Sequence, residues 1–205
     1  MRLLFVHGWG FDAAFWAPLS RLLADLPQVI DDRGYFGEPR PALVDGPCLA
    51  VTHSFGTMRV LADPPADLVG LIAINGFERF SAAPGHAGVP VRVLDRMLRR
   101  FGEDPRTVLA DFRRLCRANA EFGTIDTDVL HGDLIRLRDE YAPMPSIPVV
   151  SLQGTRDPLL PEAMRAQALA AASPLSIACE GGHLLPIEAP EFCARVVREA
   201  IGRMA

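Results

Sequence analysis

The chain contains no lysine; all 21 of its basic residues are arginine. This is read as compositional bias without functional content. Other absences exclude whole classes of function. No apolar run approaches the roughly 20 residues that a membrane-spanning helix requires. Residues 1–6 are apolar apart from Arg2 but run straight into His7-Gly8, without the apolar run and small-residue cleavage site of a signal peptide. Cys48, Cys116, Cys179 and Cys193 show neither CxxC nor metal-ligand spacing, so they are read as buried, reduced thiols. A cytoplasmic location is the expectation. The net charge of −4 supplies no overall basic field for nucleic acid. Nearly half of the 205 residues are apolar, enough for one well-buried domain with an insertion.

Short β-rich runs alternate with helical patterns, as in a parallel sheet flanked by helices. Strands are expected at Leu3–Val6, Gln28–Asp31, Cys48–Thr52, Leu68–Ile74, Val149–Gln153 and Leu175–Ala178. Most are continuously apolar, as strands covered on both faces should be. Helices are expected near 13–25, 55–63, 161–172 and 190–203. The alternation breaks between Phe80 and Ser146. There Val93, Leu94, Met97, Leu98 and Phe101 share one helical face, as do Val108, Leu109, Phe112, Leu115 and Cys116. Asp104-Pro105 reads as a helix start, and a third helix is expected over 128–139. Ala142–Pro148 reads as a stiff linker back to the sheet. Residues 1–79 and 147–205 are thus taken as the core domain and 80–146 as a helical cap, or lid.

Three motifs carry the chemistry, each placed after a strand. In Thr52-His53-Ser54-Phe55-Gly56 the serine lies between a strand and a helix, where a tight turn lifts a nucleophile into a cleft. The usual G-x-S-x-G pattern has glycine where this chain has Thr52, which puts the turn geometry in question. The rival reading of Ser54 is a plain helix N-cap. His183 follows Glu180-Gly181-Gly182 and can act as general base. Asp157, in Gly154-Thr155-Arg156-Asp157-Pro158, would orient it; Asp-Pro is also a common turn pair. His7-Gly8-Trp9-Gly10 ends the first strand, where the amides of Trp9 and Phe55 could form an oxyanion hole. His53 should point away from the nucleophile, His86 and His131 read as solvated, and His7 as a structural hydrogen-bonding group.

With these motifs the chain resembles the α/β-hydrolase superfamily over essentially its whole length, in the order Ser54, Asp157, His183. The resemblance implies an α/β fold with a mainly parallel sheet and an all-helical cap, and catalytic roles for those three residues. The chain starts at the first core strand of that fold, and one flanking helix is expected to be missing between Gly37 and the nucleophile strand. Residues 7–16, Asp126–Leu137 and Pro190–Cys193 are similar to the carboxylesterases that demethylate pimeloyl-[acyl carrier protein] methyl ester in biotin synthesis. That narrower likeness implies an acidic, acylated carrier protein as partner and no cofactor or metal.

Residues 92–117 hold eight arginines against four acids in a chain of negative total charge. Arg92, Arg96 and Arg99 share one helical face, and Arg106, Arg113 and Arg117 the next. Both stripes are candidates for carrier docking, or for ordinary solvated faces. Trp9, Phe77, Phe80, Met97, Phe101 and Phe112 are candidates to line an acyl pocket, or plain packing. The alternatives are a general short-chain carboxylesterase, a carbon–carbon hydrolase or lyase of the menaquinone-pathway type, and a binding protein with a disabled site. No nucleic acid or membrane is expected as partner, and a monomer is.

Overall fold

The computed structural model describes every residue except Ala120, Pro145 and Ala205. Pro145 takes one position of the expected Ala142–Pro148 linker outside that description. Six strands form one sheet: β1 (Arg2–Val6), β2 (Gln28–Asp31), β3 (Cys48–His53), β4 (Leu68–Ile74), β5 (Val149–Gly154) and β6 (Leu175–Cys179). Their order is β2-β1-β3-β4-β5-β6, and every pairing is parallel. The chain therefore starts inside the sheet, steps outward to β2, then crosses β1 and winds the other way. That reversal opens a crevice beyond the carboxyl ends of β1 and β3, where the His7–Gly10 loop and Ser54 lie.

The strands follow from burial on both faces. Every residue of β3 and β5 is buried, while the edge strands β2 and β6 are only partly covered. Side chains alternate between two apolar layers. Leu3, Phe5, Val51 and Ile72 pack with Trp16, Leu19 and Val197 on one face. Leu4, Val6, Ala50 and Leu71 pack with Phe55, Met58 and Leu134 on the other. The first face is covered by α1 (Ala17–Leu22), α7 (Leu185–Glu188) and α8 (Pro190–Met204); α2 (Phe55–Ala62) lies on the second.

Two helices are shorter than the apolar spacing suggests. The 13–25 segment begins as a 3-10 turn at Ala13–Trp16 and ends at Leu22. The 161–172 segment gives α6 (Glu162–Gln167), then leaves helical geometry at Ala168. Leu169 there takes a left-handed conformation, with its amide donated to the buried Glu78 carboxylate at 2.9 Å. Between β2 and β3 the described residues form no helix, only an Asp32–Arg40 bridge.

Between β4 and β5 stand α3 (Val91–Glu103), α4 (Pro105–Leu115) and α5 (Thr127–Asp139). Asp104 and Asp126 cap α4 and α5 by accepting amides of their first turns. Asp133 of α5 is buried and accepts two hydrogen bonds from Arg33, at 2.7 and 3.0 Å, and one from the Tyr35 hydroxyl at 2.7 Å. Burial and this carboxylate push the Tyr35 phenol well above its usual pKa. Replacing Asp133 by Ala leaves a guanidinium and a phenol without their acceptor. Because the Arg33 side chain is 36% exposed, the expected loss is about 2–3 kcal/mol, under the ~3–5 typical of fully buried pairs. Urea unfolding at pH 7 checks this; a change below about 0.5 kcal/mol contradicts it.

Candidate active site

Ser54 follows β3 directly and has φ 51°, ψ −125°, a conformation a non-glycine residue rarely adopts. It occupies the N-cap position of α2, yet its side chain makes no capping hydrogen bond. The bland reading of Ser54 as a cap therefore fails on geometry. The turn fits because two glycines leave it room. A side chain at Gly56 would run into the carbonyl oxygens of Val6 and His7, and one at Gly8 into His53 and the Ser54 β-carbon. Thr52 does not distort the turn. Its hydroxyl pairs with that of Thr57 at 2.7 Å, and Gly76 leaves the space that Thr57 fills.

His183 is buried, and its Nδ1 lies 2.7 Å from Asp157 Oδ2. With a carboxylate as partner, Nδ1 carries the proton and Nε2 presents its lone pair. That Nε2 is buried and has no partner among the described residues. Asp157 is fixed through its other oxygen as well: Oδ1 accepts the amides of Leu159 at 2.7 Å and Leu160 at 3.1 Å. Both readings of Asp157 thus hold, one oxygen closing a turn and the other facing the imidazole.

The amides of Trp9 and Phe55 flank the serine turn and donate to no protein acceptor among the described residues. The Trp9 indole N–H donates to the Leu130 carbonyl at 2.8 Å. A cavity of about 400 Å³ opens over the turn; Trp9, Ser54, Phe77, Phe80, Met97 and Phe112 contribute to its wall. Phe101 does not. It is buried behind Trp9, with ring centroids 6.1 Å apart, and stacks on His131. The polar lining residues besides Ser54 are Arg96, Arg100 and Asp111, all exposed on α3 and α4, and Arg100 pairs with Asp111 at 2.9 Å.

The arginine stripes divide. Arg92, Arg96 and Arg99 are exposed on α3, with no hydrogen-bond or ion-pair partner among the described residues. The second stripe is different. Arg113 turns inward, donates to the carbonyls of Gly10 at 2.7 Å and Asn119 at 2.6 Å, and lies over Phe11. Arg106 donates to the carbonyls of Phe122 and Gly123 and covers the Phe122 ring. Arg117 lies past the end of α4 in a left-handed conformation, off the helical face. Arg106 and Arg113 thus brace the insertion, and the three arginines form no shared stripe.

The remaining histidines are less solvated than their sequence context suggests. His131 is half-buried against Phe101, and a His86 ring nitrogen lies 3.3 Å from the Arg79 carbonyl. His7 pairs with the Gly8 carbonyl through Nδ1 and accepts the Arg33 amide at Nε2, 3.1 Å away. His53 points beneath the turn. It is enclosed by Phe15 and Phe11 and donates from Nε2 to the His183 carbonyl at 2.9 Å. All four cysteines are free and buried, and burial pushes their thiols up, Cys193 to about 12. Among the described residues no cluster could hold a metal ion, and no helix is long and apolar enough to cross a membrane.

A strained serine turn after β3, with a carboxylate after β5 and an imidazole after β6 of one parallel sheet, is the arrangement of an α/β hydrolase. The model of the Alpha/beta hydrolase family matches residues 21–196, and the chain belongs to that family. A search of the curated proteins finds no match. Among solved structures the chain is similar to a thermophilic esterase from Thermogutta terrifontis, at 18% identity and TM-score 0.73, covering 100% of this chain and 90% of that one. An esterase from Exiguobacterium antarcticum gives 15% and 0.78, covering 98% and 92%. The enol-lactonase from Burkholderia xenovorans gives 16% and 0.68, covering 98% and 91%. At these identities the likeness is one of fold.

Burial holds the His53 imidazole well below its usual pKa of 6.5, and the neighbouring His183 adds to this. The unfolded chain binds a proton at His53 near pH 6.5 and the folded chain does not, so stability falls as pH drops below that value. The slope from one such group is at most about 1.4 kcal/mol per pH unit. Between pH 7.5 and 5.5 the protein should lose about 1 kcal/mol more than His53→Gln, by urea unfolding at each pH. Equal losses contradict this.

Proposed function

We propose that the protein is a serine carboxylester hydrolase. The observation that carries this reading is the state of His183: Nδ1 held by Asp157, and a buried Nε2 without a partner. The lone pair that a general base needs is thereby reserved. As Ser54 Oγ attacks the ester carbonyl carbon, Nε2 takes the serine proton. The oxyanion faces the amides of Trp9 and Phe55. The tetrahedral adduct then expels the alkoxide, which receives that proton and leaves as an alcohol. Water, deprotonated by the same nitrogen, attacks the acyl-enzyme; as that adduct collapses the proton returns to Ser54 Oγ and the acid leaves. No metal or organic cofactor enters these steps.

The finer reading is demethylation of pimeloyl-[acyl carrier protein] methyl ester. Three things support it: the local sequence likeness, an apolar cavity that suits an acyl chain, and Arg92, Arg96 and Arg99 exposed beside the cavity for an acidic carrier. The carbon–carbon lyase reading calls for polar or basic groups inside the pocket to meet a carboxylated ring; the wall is mainly apolar, with Arg96, Arg100 and Asp111, all exposed on α3 and α4, as its charged members. A general short-chain carboxylesterase remains the coarser alternative. The esterase and enol-lactonase neighbours fit ester-bond hydrolysis in either form.

Ser54→Ala should lower kcat/KM on p-nitrophenyl butyrate by about 10⁴-fold or more, and a fluorophosphonate should label the native protein but not the variant. Retained hydrolysis sinks the assignment. For the carrier, the double variant Arg92→Glu/Arg99→Glu should lose at least about tenfold more kcat/KM on the carrier-bound methyl ester than on p-nitrophenyl butyrate. Equal effects on both substrates refute docking at α3. Restoration of biotin-independent growth in a host lacking its pimeloyl-ester esterase tests the substrate itself.

A further inference from the structure

Asn75 follows β4 and has φ 47°, in the left-handed region that asparagine tolerates better than most residues. All three polar positions of its side-chain amide are engaged. Oδ1 accepts the Gly154 amide at 2.7 Å. Nδ2 donates to the carbonyl of Gly182 at 3.0 Å and to that of His183 at 2.8 Å. A flipped amide would set its oxygen against two carbonyl oxygens, so the orientation follows from the partners.

Those partners are informative. Gly154 ends β5, three residues before Asp157, and Gly182-His183 carries the imidazole. The two segments meet backbone to backbone, since a side chain at Gly154 would strike the Gly181 and Gly182 carbonyls. Asn75 bonds across this contact. Two further groups complete the cradle of His183. His53 donates to the same His183 carbonyl, and the Glu188 carboxylate accepts the amides of Gly182 at 2.6 Å and Leu184 at 3.2 Å. Asn75 is fully buried and contributes nothing to the cavity wall.

We propose that Asn75 is a positioning residue of the proton relay: by clamping Gly154 to the carbonyls of Gly182 and His183, it sets the separation of Asp157 and His183. This rests on the reading of Ser54, His183 and Asp157 as a hydrolytic triad. Because Asn75 lies outside the cavity, its loss acts on turnover and not on substrate affinity. A displaced catalytic group can lower rate on the order of 10²-fold.

Asn75→Asp keeps the shape, the left-handed turn and the acceptor for Gly154, but turns a carboxylate oxygen toward the two carbonyls. Asn75→Gly keeps only the turn and serves should the aspartate variant not fold. Steady-state hydrolysis of p-nitrophenyl butyrate and the far-downfield proton NMR signal of His183 Nδ1–H give the readouts, with folded fraction taken from circular dichroism. The expected result is a fall in kcat of roughly 30- to 100-fold for Asn75→Asp, with KM within about twofold. The downfield proton should shift or vanish, and Asn75→Gly should lose at least about tenfold in kcat. Wild-type kcat per folded molecule in either variant, with the downfield proton unmoved, overturns the positioning role alone. A native protein that neither hydrolyses esters nor takes the fluorophosphonate label overturns the triad reading, and this inference with it.

Discussion

The hydrogen bond between Asp157 and His183 is the constraint on which the remainder of the site depends. Both side chains are completely shielded from solvent. A buried carboxylate is tolerated only when its lone pairs are met. Here the Leu159 and Leu160 amides meet one oxygen and the imidazole N–H the other. Because the carboxylate can only accept, the ring nitrogen that faces it carries the proton, and the histidine tautomer is assigned. One nitrogen of the ring is left over, and among the described residues no hydrogen bond is made to it. The unmet nitrogen thus follows from the bond made on the other side of the ring.

The surrounding backbone makes this close bonding possible. Glycine at 56, 8 and 154 lets main chain approach main chain at three places along one edge of the sheet. Polar groups on adjacent loops then bond directly, without room for water between them. The cost is the strained serine, held by its amide to the Ile74 carbonyl and by its own carbonyl to the Thr57 amide.

Much of this was legible in the sequence because its signals are local. Apolar runs mark the six strands to within a residue or two, and Ser54, Asp157 and His183 each lie within four residues of a strand end, in short motifs that contain glycine. What escaped is what depends on contacts distant along the chain. Helical spacing groups Arg106 with Arg113 and Phe101 with Met97, but it does not say which side of a face meets solvent. Arg113 is drawn inward by Gly10 and Phe101 is covered by Trp9, neighbours from the first strand loop. The 161–172 helix breaks where Glu78 claims the Leu169 amide. Asn75, Glu188 and the inward role of His53 carry no periodic signal, since their partners are single backbone groups on other loops. An asparagine before a glycine at a strand end suggests only a turn.

The two halves of the chemistry are supported from different parts of the molecule. In the proposed mechanism the base and its acid are held by His53 of β3, Asn75 just after β4 and Glu188 of α7. The His7–Gly10 loop is held from the insertion instead. Arg113 of α4 bonds the Gly10 carbonyl, Leu130 of α5 takes the Trp9 indole, and Arg33, whose amide meets His7, reaches Asp133 of α5. A side chain at Gly10 would press on Leu109 of α4. The helices over the cavity therefore do more than cover it, because they fix the strand loop that presents the Trp9 amide. Displacing α4 and α5 would disturb the side of the cleft proposed to face the oxyanion, while the Asp157–His183 bond, anchored wholly in the core, would stay in place.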